Sequence, residues 1–457
     1  MKTFMNRLRH IIRVPGRKPG RTIIAIVTLV AGIAVSSEAA PIIRVKPDKA
    51  LVDQVVSISV TGLASNQRAT VKATMTDNHG TVWQSSAEFV ADQKGSVELS
   101  KQAPVQGSYA GVDPMGLFWA MKESPRPQEN HPATITFLAP VVVMFELEVS
   151  GKPVSSASLT RLYVGPGVTA SEVRDNGLVA KLYEPDKGGP HPGVIVLGGS
   201  EGGIRSAEAL AALLSSHGYA ALAVAYFGME GLPNRLVAIP IDYLKKAIDW
   251  MGARSTIDRR RLAVMGGSKG GELSLILASR FPELKAVVAY VPSHVAWQGI
   301  GGPASSWTYR GEPLPHVPYK SMPTTRDATG PLSFMPLYLA SLDNKEAVAR
   351  ATIPVEKING PVLLISGKDD QLWPSSVMAD MVISRLKEYR HPYKYTHLAY
   401  DLAGHAIGTT YGPTTGSTGN SRMNFGGQPA GNARAQADSW PRVLEFLKSS
   451  LRDAGAR

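Results

Sequence analysis

No cysteine occurs among the 457 residues. That absence excludes disulfides, thiolate nucleophiles and cysteine-ligated metal sites. It is compatible with export without establishing it. Charge is scarce: 19% of residues are charged against 44% hydrophobic, a balance that excludes a disordered chain. The formal net charge is +12, but no basic stripe interleaved with aromatics is present, so nucleic acid is not an expected partner. The apolar run Thr22–Val35 stops at fourteen residues, short for a membrane span.

What is there begins with an uneven distribution of charge. Residues 1–21 carry seven bases (Lys2, Arg7, Arg9, Arg13, Arg17, Lys18, Arg21) and no acid. The apolar run follows, and Ser36-Ser37-Glu38-Ala39-Ala40 then supplies small residues before Pro41. A basic region, a short apolar region and a small-residue exit read as a secretory signal peptide over 1–39, with an uncleaved N-terminal membrane anchor through residues 22–35 as the alternative. The expected location is therefore exported (periplasmic or secreted) or inner-membrane anchored. Removing 1–39 takes away seven positive charges and one negative, which leaves about +6. That supports only a weak attraction to anions.

The length predicts two to three domains. From Pro41 the sequence alternates apolar and polar residues. Ile42–Val45, Val56–Val60, Ala69–Met75 and Thr134–Phe137 read as strands with one buried face. Turn signals at Lys46-Pro47-Asp48, Asp77–Gly80 and Ala91–Gly95 separate them. The spacing predicts an immunoglobulin-like antiparallel β-sandwich over 41–165. Gly111–Trp119 breaks the rhythm and reads as a turn followed by a buried apolar plug. A junction is expected at Val164–Val168.

Over 166–457 strands alternate with helices. Leu178–Tyr183, Gly193–Gly198, Tyr219–Ala225, Lys285–Val291, Pro361–Ser366 and Tyr393–Leu398 read as strands. Ala207–His217, Pro240–Met251 and Ser376–Tyr389 read as helices, as does Ala433–Leu451 with a break or restart at Pro441. The pattern predicts a doubly wound, mostly parallel sheet with helices on both faces. An insertion at about 292–356, rich in Gly, Pro, Ser and Tyr, does not fit. It is expected to shape a substrate pocket through Trp297, Trp307, Tyr309 and Met335, or else to be a surface excursion with its own small core.

The most informative stretch is LAVMGGSKGGELSLILASRF at 262–281. Gly266-Gly267-Ser268-Lys269-Gly270 is G-x-S-x-G between a predicted strand and a predicted helix, the context in which a serine nucleophile sits on a sharp turn. Glycines two residues to either side let neighbouring backbone approach. The hydroxyl then faces a helix N-terminus, where N–H groups favour a developing oxyanion. The competing reading is a Gly-rich turn with a helix-capping serine.

A serine nucleophile needs a base and an orienting acid, in chain order Ser, Asp/Glu, His. Lys368-Asp369-Asp370 follows the strand ending at Ser366, and we expect Asp370 to be the acid, with Asp369 as the alternative. Gly404-His405 follows the next strand on a Gly-rich loop, and His405 is the expected base. His294, His391 and His397 are worse placed. The expected oxyanion donors are the N–H of Lys269 and one from Gly198–Gly203, with Ser200 favoured over Gly199. The Gly198–Gly203 loop lacks both the Lys-Ser/Thr ending of a nucleotide loop and dinucleotide spacing, so no cofactor and no metal are expected.

These motifs, with others, make the chain resemble the acyl-CoA thioesterase and bile acid-CoA:amino acid N-acyltransferase family. The matching stretches are GSYAGVDPMGLFWAM at 107–121, GGSEGG at 198–203, AYFGMEGLP at 225–233, GGSKGGEL at 266–273, GKDDQLW at 367–373, AGHAIGTTYGP at 403–413 and GGQPAGNARAQADSWPRVLEFL at 426–447. The resemblance spans nearly all of the chain beyond residue 39. It implies an N-terminal β-sandwich followed by an α/β-hydrolase domain, with Ser268 as nucleophile, Asp370 as acid and His405 as base. Family acyltransferases that conjugate amino acids tend to carry cysteine at the nucleophile. Serine here matches the thioesterases and favours hydrolysis. The expected activity is therefore acyl-CoA thioesterase. The alternatives are an exported esterase of broad specificity, an acyl-CoA:amino acid N-acyltransferase, or a non-catalytic binding protein.

Overall fold

Apolar–polar alternation builds the N-terminal part. Ile42–Lys46 has the burial pattern exposed–buried–exposed–buried–exposed, as one-sided strand sequence should. It pairs with Ser57–Thr61, which pairs with Val97–Glu98, to give a three-stranded antiparallel sheet. A second sheet runs in the order Lys49–Leu51, Lys152–Leu162, Val141–Val149, Arg68–Thr76, Val82–Val90, Gln106–Gly107, with Lys122–Glu123 also on Val82–Val90. All these pairs are antiparallel except the first. Ile58 and Val60 of one sheet share a core with Val71, Phe89, Phe145 and Leu147 of the other.

The computed structural model describes residues 40–124, 137–321, 330–408 and 411–452. The signal peptide or anchor expected at 1–39 lies outside them, as do residues 134–136 of the strand expected at Thr134–Phe137. No described helix is long and apolar enough to cross a membrane.

The apolar plug is a short helix, Gly116–Trp119, opened by Asp113. One Asp113 carboxylate oxygen accepts the Met115 N–H at 2.8 Å and the other the Trp119 indole N–H at 2.8 Å. Met115, Leu117 and Phe118 are buried in the two-sheet core.

The C-terminal part is an eight-stranded sheet. In chain order its strands are β1 (Val168–Val173), β2 (Ala180–Pro185), β3 (His191–Leu197), β4 (Ala220–Val224), β5 (Ile257–Gly267), β6 (Leu284–Tyr290), β7 (Val362–Gly367) and β8 (Tyr395–Tyr400). Their spatial order is 1-2-4-3-5-6-7-8, with β2 antiparallel to its neighbours and β3 to β8 parallel. β1 was not anticipated: its sequence, VTASEV, is polar and mostly exposed, so it carries little strand signal.

Burial on both faces follows from continuous apolar strands. In β3, Ile195 and Leu197 join one core while Val194 and Val196 join the other. The first core is covered by helices α2 (Ile241–Ala253), α3 (Lys269–Arg280) and α4 (Ser375–Glu388), the second by α1 (Arg205–Ser216) and α5 (Pro429–Ser450). α5 corrects the break expected at Pro441: one helix runs through it. The proline removes one N–H, and Trp440, Val443 and Leu447, buried against the sheet, hold the helix together around it.

The insertion is also more ordered than its composition suggests. It contains strands Trp307–Tyr309 and Glu312–Pro313, which form a small sheet with Ile239–Pro240, and helices Met335–Ser341 and Lys345–Ala351. Trp297 and Trp307 are fully buried core residues.

Candidate active site

β5, β7 and β8 are parallel, so the residues that follow them lie along one edge of the sheet. Ser268 directly follows β5 and caps α3 with φ 56 and ψ −121. A non-glycine residue there is strained and is held by its surroundings. Its N–H donates to the Tyr290 carbonyl at 3.0 Å, and its own carbonyl accepts the Glu272 N–H at 3.0 Å. The flanking glycines are required by close approach. A Cβ on Gly266 would stand 2.4 Å from the Gly270 oxygen, and one on Gly270 would stand 2.3 Å from the Gly198 oxygen.

Asp370 follows β7 by three residues and is 1% exposed. One carboxylate oxygen accepts the N–H groups of Leu372 (2.9 Å) and Trp373 (3.2 Å). The other accepts the Ser375 hydroxyl at 2.6 Å and His405 Nδ1–H at 2.9 Å. A carboxylate with four donors is held in one orientation and fixes the imidazole tautomer, leaving Nε2 as the ring's free base. Asp369 is excluded from this arrangement. Its carboxylate accepts Gln371 Nε2 (2.9 Å) and the Gly427 N–H (3.0 Å), tying two loops together.

His405 is placed by several contacts. Its N–H donates to the Phe425 carbonyl at 2.8 Å, and its ring lies 6.0 Å from that of Trp373, edge-on. The loop beyond it is fastened to the N-terminal part. Thr414 N–H and hydroxyl both reach the Trp119 carbonyl, at 3.0 and 3.2 Å, and the Thr415 hydroxyl reaches the Met121 carbonyl at 2.5 Å. The apolar plug thus anchors the histidine loop, a role that one-dimensional pattern does not reveal. The other histidines are engaged elsewhere. His397 bonds Ser366 and Asp380, and His391 Nε2 faces the Gly360 carbonyl. His294 is buried, and burial pulls its pKa down to about 4.

Of the expected oxyanion donors, Lys269 N–H opens α3, where the first turn has no intrahelical acceptors. In the facing loop Gly199 lies close to the serine: a Cβ there would be 3.4 Å from Ser268 Cβ. Its N–H, however, is taken by Glu201 Oε1 at 3.0 Å. Among the described residues no acceptor takes Ser200 N–H. The insertion reaches this region through Met335, whose N–H, with that of Phe334, donates to the Gln371 carbonyl one residue from Asp370.

Three side chains around the serine escaped sequence reasoning. Tyr226, fully buried with its pKa raised by that burial, donates to the Gly198 and Gly199 carbonyls at 2.6 and 3.1 Å. Lys269 and Glu272 form a buried ion pair at 2.6 Å. All three stand within quoted motifs, AYFGMEGLP and GGSKGGEL; Lys269 and Glu272 are three residues apart on one helix, but Tyr226 and Glu272 also bond to segments more distant in the chain.

Serine after the fifth strand, acid after the seventh and histidine after the eighth place the chain in the α/β-hydrolase class. Comparison with known proteins narrows the class. Residues 53–175 match the acyl-CoA thioester hydrolase/BAAT N-terminal region, and residues 239–453 match the BAAT/acyl-CoA thioester hydrolase C-terminal region. The chain belongs to this family. It is 32% identical to mouse bile acid-CoA:amino acid N-acyltransferase over 425 residues, which cover 89% of this chain and 96% of the relative. Mouse mitochondrial acyl-coenzyme A thioesterase 2 is 30% identical over 87% of each chain. Mouse acyl-coenzyme A amino acid N-acyltransferase 1 is 32% identical over 90% of this chain and 98% of its own.

Proposed function

We propose that the protein is a serine hydrolase of acyl thioesters, an acyl-CoA thioesterase that releases free fatty acid and CoA. The observation that carries this reading is the Asp370–His405 pair, 2.9 Å apart, on the sheet edge that also bears the strained Ser268. Ser268 Oγ attacks the acyl carbonyl as His405 Nε2 takes its proton, and Asp370 stabilises the imidazolium. The tetrahedral oxyanion receives the N–H groups of Lys269 and Ser200. Collapse breaks the C–S bond, and the departing CoA sulfur, a good leaving group because a thiol pKa near 8.5 lies far below that of an alcohol, takes the proton from the His405 imidazolium and leaves that ring neutral again. Water, activated by His405, then cleaves the acyl-serine. No metal or cofactor enters these steps.

Both thioesterases and amino acid N-acyltransferases stand among the named relatives. The absence of cysteine, and hence a serine nucleophile, favours water as the acyl acceptor. The leader at 1–39 is proposed to export or anchor the chain, which makes an extracytoplasmic ester or thioester the second reading of the substrate. The two-sheet N-terminal part, 41–165, is proposed to be an immunoglobulin-like sandwich that walls the site and carries the histidine loop. The test is hydrolysis of an acyl-CoA chain-length series by protein lacking 1–39, beside Ser268→Ala. Ser268-dependent CoA release supports the thioesterase. Ser268-dependent cleavage of p-nitrophenyl esters without CoA release moves the assignment to an esterase, and acyl-glycine or acyl-taurine in the products moves it to transfer. No labelling of Ser268 by a fluorophosphonate would leave a binding protein.

A further inference from the structure

Lys269 is the first residue of α3, and its backbone N–H faces the proposed oxyanion. Its side chain turns inward instead of reaching solvent and is 2% exposed. The ammonium meets Glu272 Oε2 at 2.6 Å and lies 5.2 Å from the centre of the Trp307 ring. Glu272 is 0% exposed, and its other oxygen accepts the Trp307 indole N–H at 2.6 Å and the Trp297 backbone N–H at 3.1 Å. Trp307 in turn packs on Tyr226, ring centres 5.8 Å apart. The Tyr226 hydroxyl holds the Gly198 and Gly199 carbonyls, immediately before Ser200. One carboxylate therefore links, through two short chains of contacts, the peptides on both sides of Ser268. An ion pair removed from water is a poor source of stability compared with apolar residues of similar size. Its presence directly behind the nucleophile calls for another explanation.

We infer that Glu272, with Lys269 and the Trp307–Tyr226 ring contact, is a positioning element that holds the two oxyanion N–H donors in register and ties them to the insertion. It touches no reacting atom and acts through the peptides of Lys269 and Ser200. The inference rests on the thioesterase reading of the site. Because oxyanion donors act on charge that develops only in the transition state, loosening them lowers kcat and leaves substrate binding nearly unchanged.

The test compares three variants of the full chain with wild type. Lys269→Met/Glu272→Leu replaces the pair by apolar residues of similar length and avoids an orphaned buried charge. Tyr226→Phe removes one hydroxyl and keeps the ring contact with Trp307, and it serves if the double variant does not fold. Each is read by thermal midpoint, by kcat and KM for acyl-CoA hydrolysis, and by inhibition with an alkyl trifluoromethyl ketone, which forms a tetrahedral adduct with serine. The expected result for folded protein is a kcat loss of about tenfold or more, KM within about twofold, and a parallel loss of ketone affinity. Wild-type kcat and ketone affinity in either folded variant would overturn the inference. Ser268→Ala is the third variant. If it keeps full turnover, the reading of the site falls and this inference with it; if it is inactive while the others match wild type, only the positioning inference falls.

Discussion

Among the described residues two histidines pair with an aspartate in the neighbourhood of a serine, His405 with Asp370 and His397 with Asp380, and the two arrangements are built differently. In the second, Ser366 Oγ lies 2.7 Å from His397 Nε2, and His397 Nδ1 lies 2.8 Å from Asp380 Oδ1. By distance alone it is the better formed. Yet Ser366 is a regular residue of β7 with 0% exposure, and Asp380 stands on the open face of α4 with its side chain 70% exposed. The first arrangement has the opposite distribution. Ser268 is strained, half-buried and at a helix N-terminus, while Asp370 is buried and held by four donors. A nucleophile must be reachable, and its acid must be shielded from water to orient and stabilise an imidazolium. Residue types and spacing do not supply those conditions; position at the sheet's edge does.

The largest expected effect is on Ser268. Ser268→Ala should lower kcat by about a thousandfold or more in a thioesterase assay, whereas Ser366→Ala should leave kcat within about twofold. Equal losses would erase the distinction between the two sites. The acids sharpen it next. Asp370→Asn is expected to cost roughly 100- to 10,000-fold in kcat through loss of tautomer control, and Asp380→Asn less than about twofold, because a solvent-exposed carboxylate is well screened.

A histidine lacking an acid partner completes the comparison. His294 is buried, and its folded pKa of about 4 lies below the unfolded value near 6.5. Between those values the unfolded chain binds a proton that the native state refuses. Stability is therefore undiminished above about pH 7, falls as pH drops through that window, and levels off below it. The loss approaches roughly 3 kcal/mol. Urea unfolding at pH 7.5 and 4.5 should show this, with a smaller difference between the two pH values in His294→Gln. The smallest effect is structural: Ser366→Ala removes one hydrogen bond and should cost about 1 kcal/mol of stability in the same unfolding experiment.

Much of this was legible in one dimension. The all-apolar strands, the helix at 375–388 and the G-x-S-x-G turn were readable because each is coded within a few residues. Ser268, the Asp369-Asp370 pair and His405 were likewise picked out as candidates by what precedes them, a strand end and a glycine. The points that stayed open or failed share a cause. Gly- and Pro-rich surroundings left Trp297 and Trp307 undecided between a pocket wall and a small core; Glu272 and neighbouring aromatics hold them in a core. Pro441 looked like a helix break because local propensity ignores the apolar face packed against the sheet.

By itself, then, the sequence determined the apolar strands and amphipathic helices of the sheet, their order and the turn that strains Ser268. Backbone dihedrals, one-sided burial and glycine clearance are short-range properties that a run of ten residues encodes. Only the tertiary structure decided which aspartate faces the histidine, that the plug at 116–121 carries the histidine loop, and that the Lys269 side chain is buried on Glu272. Each of those joins segments far apart in the chain, or depends on such a junction. Which side chains then meet is set by strand order and by the packing of the whole core, and no local pattern contains either.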